Sequence, residues 1–478
     1  MATGNLPDSQ STPSASSESM PRIDLLTMFR LGLFQMGLGI MSLLTLGVIN
    51  RVMIDELKVP AFIAATAIAM HQFVSPARIW FGQMSDAKPL GGKHRTGYVW
   101  IGALLFTFVA FFAVQVVWQL GNSLDATGWS SQTRAWAAGL GGVFALYGLA
   151  LSASSTPFAA LLVDVSDEDN RSKLVGIVWS MLMVGIIIGA IISSRLLAQI
   201  ALDTPIATLQ ASVNRLFIIV PALVLALTFV ATVGVEDKYS RYGKRSKMVN
   251  REDQITLGKA LRVLTASPQT GIFFTFLLVM IISLFMQDAV MEPYGGEVFG
   301  MALSETTQLN AFFGMGTLIG IGSTGFLIVP RLGKQNTTKW GCIAAAICLG
   351  LIILAGYSAI PGMLMGSLLL YGLASGIITT GAISLMLDLT AAETAGTFIG
   401  AWGLAQAIAR GLSTVTGGAV LDLGRALFSV PLLAYGLVFT TQAAGMIAAV
   451  VLLRRVNIRE FRDNAKQAIA TVIEGDLE

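Results

Sequence analysis

The sequence predicts an all-α polytopic membrane protein with twelve transmembrane helices in two six-helix halves. Three observations predict it. The 478 residues are 54% hydrophobic and only 12% charged, where soluble domains carry about 25% charge. Charge-free runs of about 20 residues, the length that crosses a bilayer, recur along the whole chain. The sequence also resembles itself at a fixed offset of 224 residues: Leu146-Tyr-Gly-Leu-Ala150 returns as Leu370-Tyr-Gly-Leu-Ala374, and Asp164-Val-Ser166 with Gly176 returns as Asp388-Leu-Thr390 with Gly400.

The first 21 residues, rich in Ser, Pro, Thr and Ala, lack a basic stretch followed by an apolar core and read as a disordered tail. Spans follow near 25–50, 60–84, 97–121, 135–163, 174–196, 214–235, 268–290, 308–330, 339–357, 361–387, 394–421 and 427–453. The ninth and tenth share one charge-free stretch, Trp340 to Leu387, with Tyr357-Ser-Ala-Ile-Pro-Gly362 as its turn. The halves are residues 22–235 and 268–453, joined by a basic linker, 236–267, and followed by a tail, 454–478. In that tail Ile458, Phe461, Ala465, Ala468 and Val472 share a helical register among basic residues, a pattern suited to an anionic leaflet or to a solvated tail. If every span crosses, the N-tail, even-numbered loops and C-tail hold 23 of the 31 Lys and Arg, which predicts that both termini are cytoplasmic. The repeat places span 4 on span 10 and span 5 on span 11, the parallel-repeat arrangement of the major facilitator superfamily.

Several function classes are excluded or weakened. Two Cys and two His cannot build a disulfide framework or a structural metal cage, and Cys342 and Cys348 read as core residues. No phosphate-binding loop with Lys-Ser/Thr is present, and Gly320-Ile-Gly-Ser-Thr-Gly325 matches a dinucleotide fingerprint only formally, because it lies inside a span. No catalytic set is apparent, so an enzyme is not expected, and neither is a nucleic-acid partner.

The 2–3 loop, Gly82-Gln-Met-Ser-Asp86-Ala-Lys-Pro-Leu-Gly-Gly-Lys93-His-Arg95, resembles the facilitator signature of Gly, Asp and then basic residues. The resemblance implies that Gly82, Asp86 and Arg95 latch the halves when the cytoplasmic side is shut. The same residues also read as a solvated basic loop.

Three further stretches are more specific: Arg30-Leu-Gly-Leu-Phe-Gln35 with Asn50-Arg51-Val-Met-Ile-Asp55, Pro76-Ala-Arg78 with Ser85-Asp86, and Gln287-Asp288-Ala-Val-Met-Glu292-Pro-Tyr-Gly-Gly-Glu297-Val-Phe-Gly300. Together they closely resemble the PucC-type, bacteriochlorophyll-delivery family of the major facilitator superfamily over nearly all of residues 22–455. Met70-His71-Gln72-Phe73 is similar to its oxygenic, cyanobacterial members. The resemblance implies chlorophyll or bacteriochlorophyll as cargo, with no certain cofactor. It also implies assembly of light-harvesting or photosystem complexes in a thylakoid or bacterial inner membrane. Antenna or photosystem subunits, pigment-biosynthesis enzymes and membrane lipid would be the partners.

An ionisable side chain inside the hydrocarbon costs about 2.5–3.5 kcal/mol on insertion scales and needs a partner or a cavity. Arg410 lies near mid-membrane in span 11 with Gln406 one turn earlier, and His71 lies at similar depth in span 2. The facilitator resemblance makes these spans neighbours, so His71, Gln406 and Arg410 are the candidate pigment site. His71 would be a ligand to chlorophyll magnesium, or simply a hydrogen-bonded helix residue, and no other metal site is expected. Arg51, Asp288 and Glu292 end spans 1 and 7 on one side and read as a breakable outer ion pair or as an ungated surface pair. Gly295-Gly296 after Pro293 reads as a tight, φ-positive turn. The acidic 7–8 connection offers a docking surface. Gly185 and Gly189 in span 5, with Gly316 and Gly320 in span 8, suggest a sliding contact between halves. Two other functions remain open: an assembly scaffold that moves no pigment, and a proton-coupled solute transporter with Asp288 as its deep carboxylate.

Overall fold

The computed structural model describes residues 22–166, 168–200, 204–240, 268–389 and 395–456. The predicted tail 1–21, the linker from 241 to 267, the C-terminal register from Ile458 onward and the repeat match at Thr390 lie outside the described residues. Among the described residues the chain is helical throughout, save connections and one isolated bridge between Leu90 and Lys93.

Helices occupy all twelve predicted stretches, and the span numbers are kept for them. Span 1 is Leu25–Glu56, started by Asp24, whose carboxylate accepts from the Thr27 amide at 3.2 Å. Span 2 is split into Ala61–Phe73 and Ala77–Ala87. Spans 3 to 6 are Thr96–Thr127, Ser131–Val165, Glu168–Leu196 and Ile206–Thr232. Span 7 is Pro268–Phe285, unwinding through a 3-10 turn at Met286–Ala289 into a short helix, Met291–Phe299. Span 8 is Leu303–Ser323 with a π-helical extension at Thr324–Ile328. Lys334–Ser358, Pro361–Leu389, Ala395–Leu427 and Pro431–Arg455 are spans 9 to 12. The predicted turn between spans 9 and 10 is made by Ala359 in the left-handed region, φ 52°, ahead of Pro361.

Among the described residues, nine helices are individually long and apolar enough to cross a membrane. Span 2 falls short because Pro76 cannot donate to the Gln72 carbonyl and crowds it, so the chain passes through i to i−3 bonds at Ser75, Ala77 and Arg78 before α-helix resumes. Irregular backbone also appears in span 1 (π turns at Leu43–Ile49 and Val52–Glu56), span 7 and span 8. The interrupted helices are thus the counterparts 1 and 7, and 2 and 8. Inside a bilayer the carbonyls freed at such breaks need protein donors. Tyr371 donates to the Leu284 carbonyl at 2.8 Å and Ser413 to that of Ile282 at 3.1 Å.

Helix packing repeats with a shift of six. Span 1 packs on 5 and 6, 2 on 4, and 3 on 4 and 6; correspondingly, 7 packs on 11 and 12, 8 on 10, and 9 on 10 and 12. The halves meet through spans 2 and 11 and spans 5 and 8. This is the major facilitator fold.

The predicted glycine pairs work elsewhere than expected. A Cβ on Gly185 would lie 2.1 Å from the Met36 carbonyl, and one on Gly189 3.0 Å from Cα of Ile40, so both face span 1. A Cβ on Gly316 or Gly320 would lie 2.0 or 2.4 Å from the Leu369 or Leu373 carbonyl of span 10. These four glycines bring backbones together inside each half rather than forming a sliding contact between halves. At the 5–8 contact it is Gly314 that approaches Ile187 and Ile186.

Candidate functional site

The break in span 2 sets the geometry of the central site. His71 sits just before it, and its Nδ1 is 2.5 Å from the Ile68 carbonyl, which makes Nδ1 the donor and leaves Nε2 as acceptor. Gln72 Nε2 donates to that atom at 2.9 Å, and the imidazole meets Tyr147 edge-on with centroids 6.2 Å apart. The backbone of His71 lies directly on Gly148 of span 4.

Just beyond the break, Arg78 projects from the start of the second helical segment and is exposed. Arg410 of span 11 is exposed as well, although Ala409 and Gly411 beside it are buried. Its guanidinium lies 3.9 Å above the ring of Phe285, which ends the regular part of span 7. Arg78 and Arg410 both act electrostatically on His71 and on each other, and Arg410 also acts on Asp288. The structure therefore brings together His71, Arg410 and Asp288, and adds Arg78, which appears in the sequence only within the motif Pro76-Ala-Arg78. Gln406, one turn before Arg410, is half-buried in the same helix.

A second constellation closes the end of the molecule that carries the odd-numbered loops. Arg51 is 1% exposed. The expected ion pair from Arg51 to Asp288 or Glu292 is not formed. Its partner is Asp55, one turn on in the same helix at 2.7 Å, because the remaining donors are drawn across to the other half. Nη1 donates to Thr306 Oγ1 at 2.8 Å and to the Glu292 carbonyl at 3.3 Å, and Nη2 donates to the Met301 carbonyl at 2.9 Å. The Glu292 carboxylate turns instead to Asn310, whose Nδ2 donates to it at 2.5 Å. Asn50 donates to the Ala289 carbonyl at 2.6 Å.

Gly295 and Gly296 do not form a φ-positive turn. Both lie in the helix Met291–Phe299, and the left-handed residue is Gly300, φ 65°. Their role is close approach, since a Cβ on Gly296 would stand 2.4 Å from Nη2 of Arg51 and 2.5 Å from Oδ2 of Asp55.

Asp422, absent from the sequence expectations, completes this end. Its carboxylate accepts from the amides of Ala61 and Phe62 at 2.9 and 2.8 Å, so span 11 caps span 2 across the halves. A signal for it exists: span 2 begins at Pro60, which has no capping side chain, so its first amides need a partner from elsewhere. The acids of the 7–8 connection are likewise engaged. Glu297 pairs with Arg425, and Glu305 accepts from the Ala302 amide at 2.8 Å.

The 2–3 signature forms a compact cluster within the N-terminal half. Arg95 is 2.6 Å from Asp86, 2.8 Å from Asp164 and 2.6 Å from Ser85 Oγ. Burial disfavours the Arg95 charge, but Asp164 and Asp86 outweigh it and hold the guanidinium above its ordinary value. Glu236 accepts from the amides of His94, Arg95 and Thr96, capping span 3. Ser85 donates to the Gly82 carbonyl at 2.9 Å, and Gly82 itself faces Thr156 of span 4. These contacts join the ends of spans 2, 3, 4 and 6, all in one half. Cys342 and Cys348 are buried core residues.

Comparison with known proteins bears on identity. The family described as PUCC protein matches residues 48–461. Protein PucC of Rhodobacter capsulatus is 29% identical over 414 residues, covering 85% of this chain and 85% of its own length. The bacteriochlorophyll synthase 44.5 kDa chain of the same organism is 32% identical over 442 residues, 89% of this chain and 94% of that one. Among solved structures, the nucleoside transporter NupG is similar with TM-score 0.65 at 12% identity, over 90% of this chain and 98% of that one. The D-xylose-proton symporter gives 0.60 at 15%, over 90% and 97%. At such identities the solved structures speak for the fold alone. The sequence matches say more: with its similarity running from late span 1 through span 12, this integral membrane chain belongs to the PUCC protein family.

Proposed function

We propose that this facilitator-fold protein binds or delivers chlorophyll-type pigment and thereby assists assembly of light-harvesting or photosystem complexes. The observation that carries the reading is the group His71, Arg78, Asp288 and Arg410, gathered from both halves beneath the closed odd-loop end. The His71 tautomer leaves Nε2 as the lone-pair nitrogen, the atom that would face a pigment magnesium, and the Gln72 amide would have to yield that position. Arg410, over the Phe285 ring, offers donors to a peripheral oxygen of the ring system. Antenna or photosystem subunits and pigment-synthesis enzymes are the proposed partners. The proposed setting is a thylakoid or bacterial inner membrane, with both termini in the cytoplasm.

The test is the absorption spectrum and extracted pigment of the chain purified in mild detergent from a pigment-making phototroph, freed of antenna. A stoichiometric chlorophyll-type band that His71→Ala with Arg410→Ala abolishes is expected. A colourless protein that still captures antenna or photosystem subunits would overturn pigment handling and leave the scaffold. The engagement of Glu292 with Asn310 and of Glu297 with Arg425 weakens the acidic docking surface on which that scaffold reading relied, leaving Glu305 exposed on it. A second reading, proton-coupled solute carriage, draws support from Asp288 beside Arg410. It predicts proton uptake with solute, lost in Asp288→Asn.

A further inference from the structure

Arg78 and Arg410 differ from three arginines that hold the fold together. Arg51, Arg95 and Arg425 each have a carboxylate partner. Among the described residues neither Arg78 nor Arg410 forms an ion pair, although each interacts electrostatically with the other. A guanidinium stays protonated under all ordinary conditions, so two like charges face one another across the junction of spans 2 and 11. His71 is already hydrogen-bonded at both ring nitrogens. Asp288 supplies one opposing charge, leaving an excess of one positive charge within membrane-spanning helices. Such an arrangement is costly unless a counter-charge arrives.

We infer that Arg78 and Arg410 form a receptor for an oxyanion, a carboxylate or diphosphate carried on a large apolar molecule. The local structure suits that class. The Arg410 guanidinium carbon lies 3.9 Å from the centre of the Phe285 ring, a contact that uses none of its forked N–H donors. Arg78 stands in the first turn of Ala77–Ala87, where the dipole of an 11-residue helix adds partial positive charge. Both residues are exposed, and they stand on the two spans, 2 and 11, through which the halves meet. Phe285 and Phe73, the latter packed against Gly411, flank them with apolar surface.

The inference rests on the pigment reading and sharpens it. Among tetrapyrroles the site selects the free acid, with its ionised propionate, over the esterified pigment. An isoprenoid diphosphate shares the same head-group chemistry and is the other source of such an anion.

The experiment measures binding to the full chain in detergent by tryptophan-fluorescence quenching with two matched pairs: chlorophyllide a against chlorophyll a, and phytyl diphosphate against phytol. Arg78→Gln, Arg410→Gln, the double variant and Arg410→Lys are compared with the unaltered chain. Expected is that one anionic member binds about tenfold or more tightly than its uncharged counterpart, the size of one charge-assisted hydrogen bond. The gap should close in the double variant and be only partly kept by Arg410→Lys, which retains charge but loses the fork. Added salt should narrow it in the unaltered protein, a readout independent of any folding defect in the variants.

Equal binding of chlorophyllide and chlorophyll, indifferent to the arginines, overturns the receptor and leaves the pigment reading standing. Arginine-dependent binding of phytyl diphosphate with neither tetrapyrrole bound keeps the receptor and overturns the pigment. No binding of any probe overturns both.

Discussion

Replacing Gly296 with alanine tests whether the buried Arg51 contact holds the odd-loop end shut. The new Cβ would stand 2.4 Å from Nη2 and 2.5 Å from Cζ of Arg51, and 2.5 Å from Oδ2 of Asp55. Ordinary contacts between such atoms are near 3.5 Å, so the guanidinium must retreat by about 1 Å. It cannot do so and keep its bonds to Thr306 and Met301, at 2.8 and 2.9 Å. Each buried donor left without a partner costs about 1–3 kcal/mol, and parting a buried ion pair costs about 3–5 kcal/mol. Higher helix propensity returns only about 0.5–1 kcal/mol. A net loss of about 2–4 kcal/mol lowers the closed-to-open ratio by a factor of about 30 to 1000.

Spin labels at Thr127 and Tyr357, exposed at the odd-loop ends of opposite halves, read the closure by electron-electron distance measurement. The native cysteines are buried and should stay unlabelled. The unaltered protein should give one short distance, and Gly296→Ala a longer or broadened one. Gly366→Ala, with nothing within 4 Å of the added methyl, is the control. Unchanged distances in Gly296→Ala, even with a lower Tm, would refute the reasoning, because the contact would then support the fold without holding the end closed.

Two further outcomes are expected. Asp422→Ala leaves the first amides of span 2 without acceptors and should weaken the same closure by about 0.5–2 kcal/mol, while Asp422→Asn keeps most of it, read with the same label pair. Gly316→Val drives a side chain into the Leu369 carbonyl, 2.0 Å from the ideal Cβ. It should therefore depress monodisperse yield and lower Tm in detergent, whereas Gly322→Ala, in open space, should leave both unchanged.

The sequence made the architecture readable because a bilayer imposes length and apolarity on every crossing, and those survive without an alignment. Interruptions were harder. Pro76 announces the break in span 2, but nothing in Leu43–Ile49 distinguishes π turns from regular helix, since that choice is made by neighbours that supply or withhold backbone partners. Arg410 and His71 stood out as ionisable groups in apolar runs. Arg51 is legible only as a charge ending span 1, and its partner differs from the expected one. Charge sign pointed to Asp288 and Glu292, while the geometry engaged Asp55 in the same helix and uncharged oxygens across the gap. Gly295-Gly296 was read for backbone conformation although its work is steric, a distinction visible only once the guanidinium is seen against it. The Gly185 and Gly316 motifs gave close packing correctly and the partner helix wrongly, because spacing within one helix carries no information about which neighbour lies opposite.

Those glycine contacts give each half a mechanical character. Backbones that touch at Gly39 and Gly185, or at Gly316 and Gly372, leave little room for helices within a half to shift past one another. The described side-chain hydrogen bonds that cross between halves, from Asn50, Arg51, Asp422 and Gln308, all lie near the odd-loop end. A stiff half that tilts about that end moves as a beam: a tilt of about 20° along a membrane-length helix of about 30 Å displaces its far tip by about 10 Å. Displacement then grows with distance from the clasp, so that any separation of the halves is a divergence of whole bundles rather than a rearrangement of their interiors.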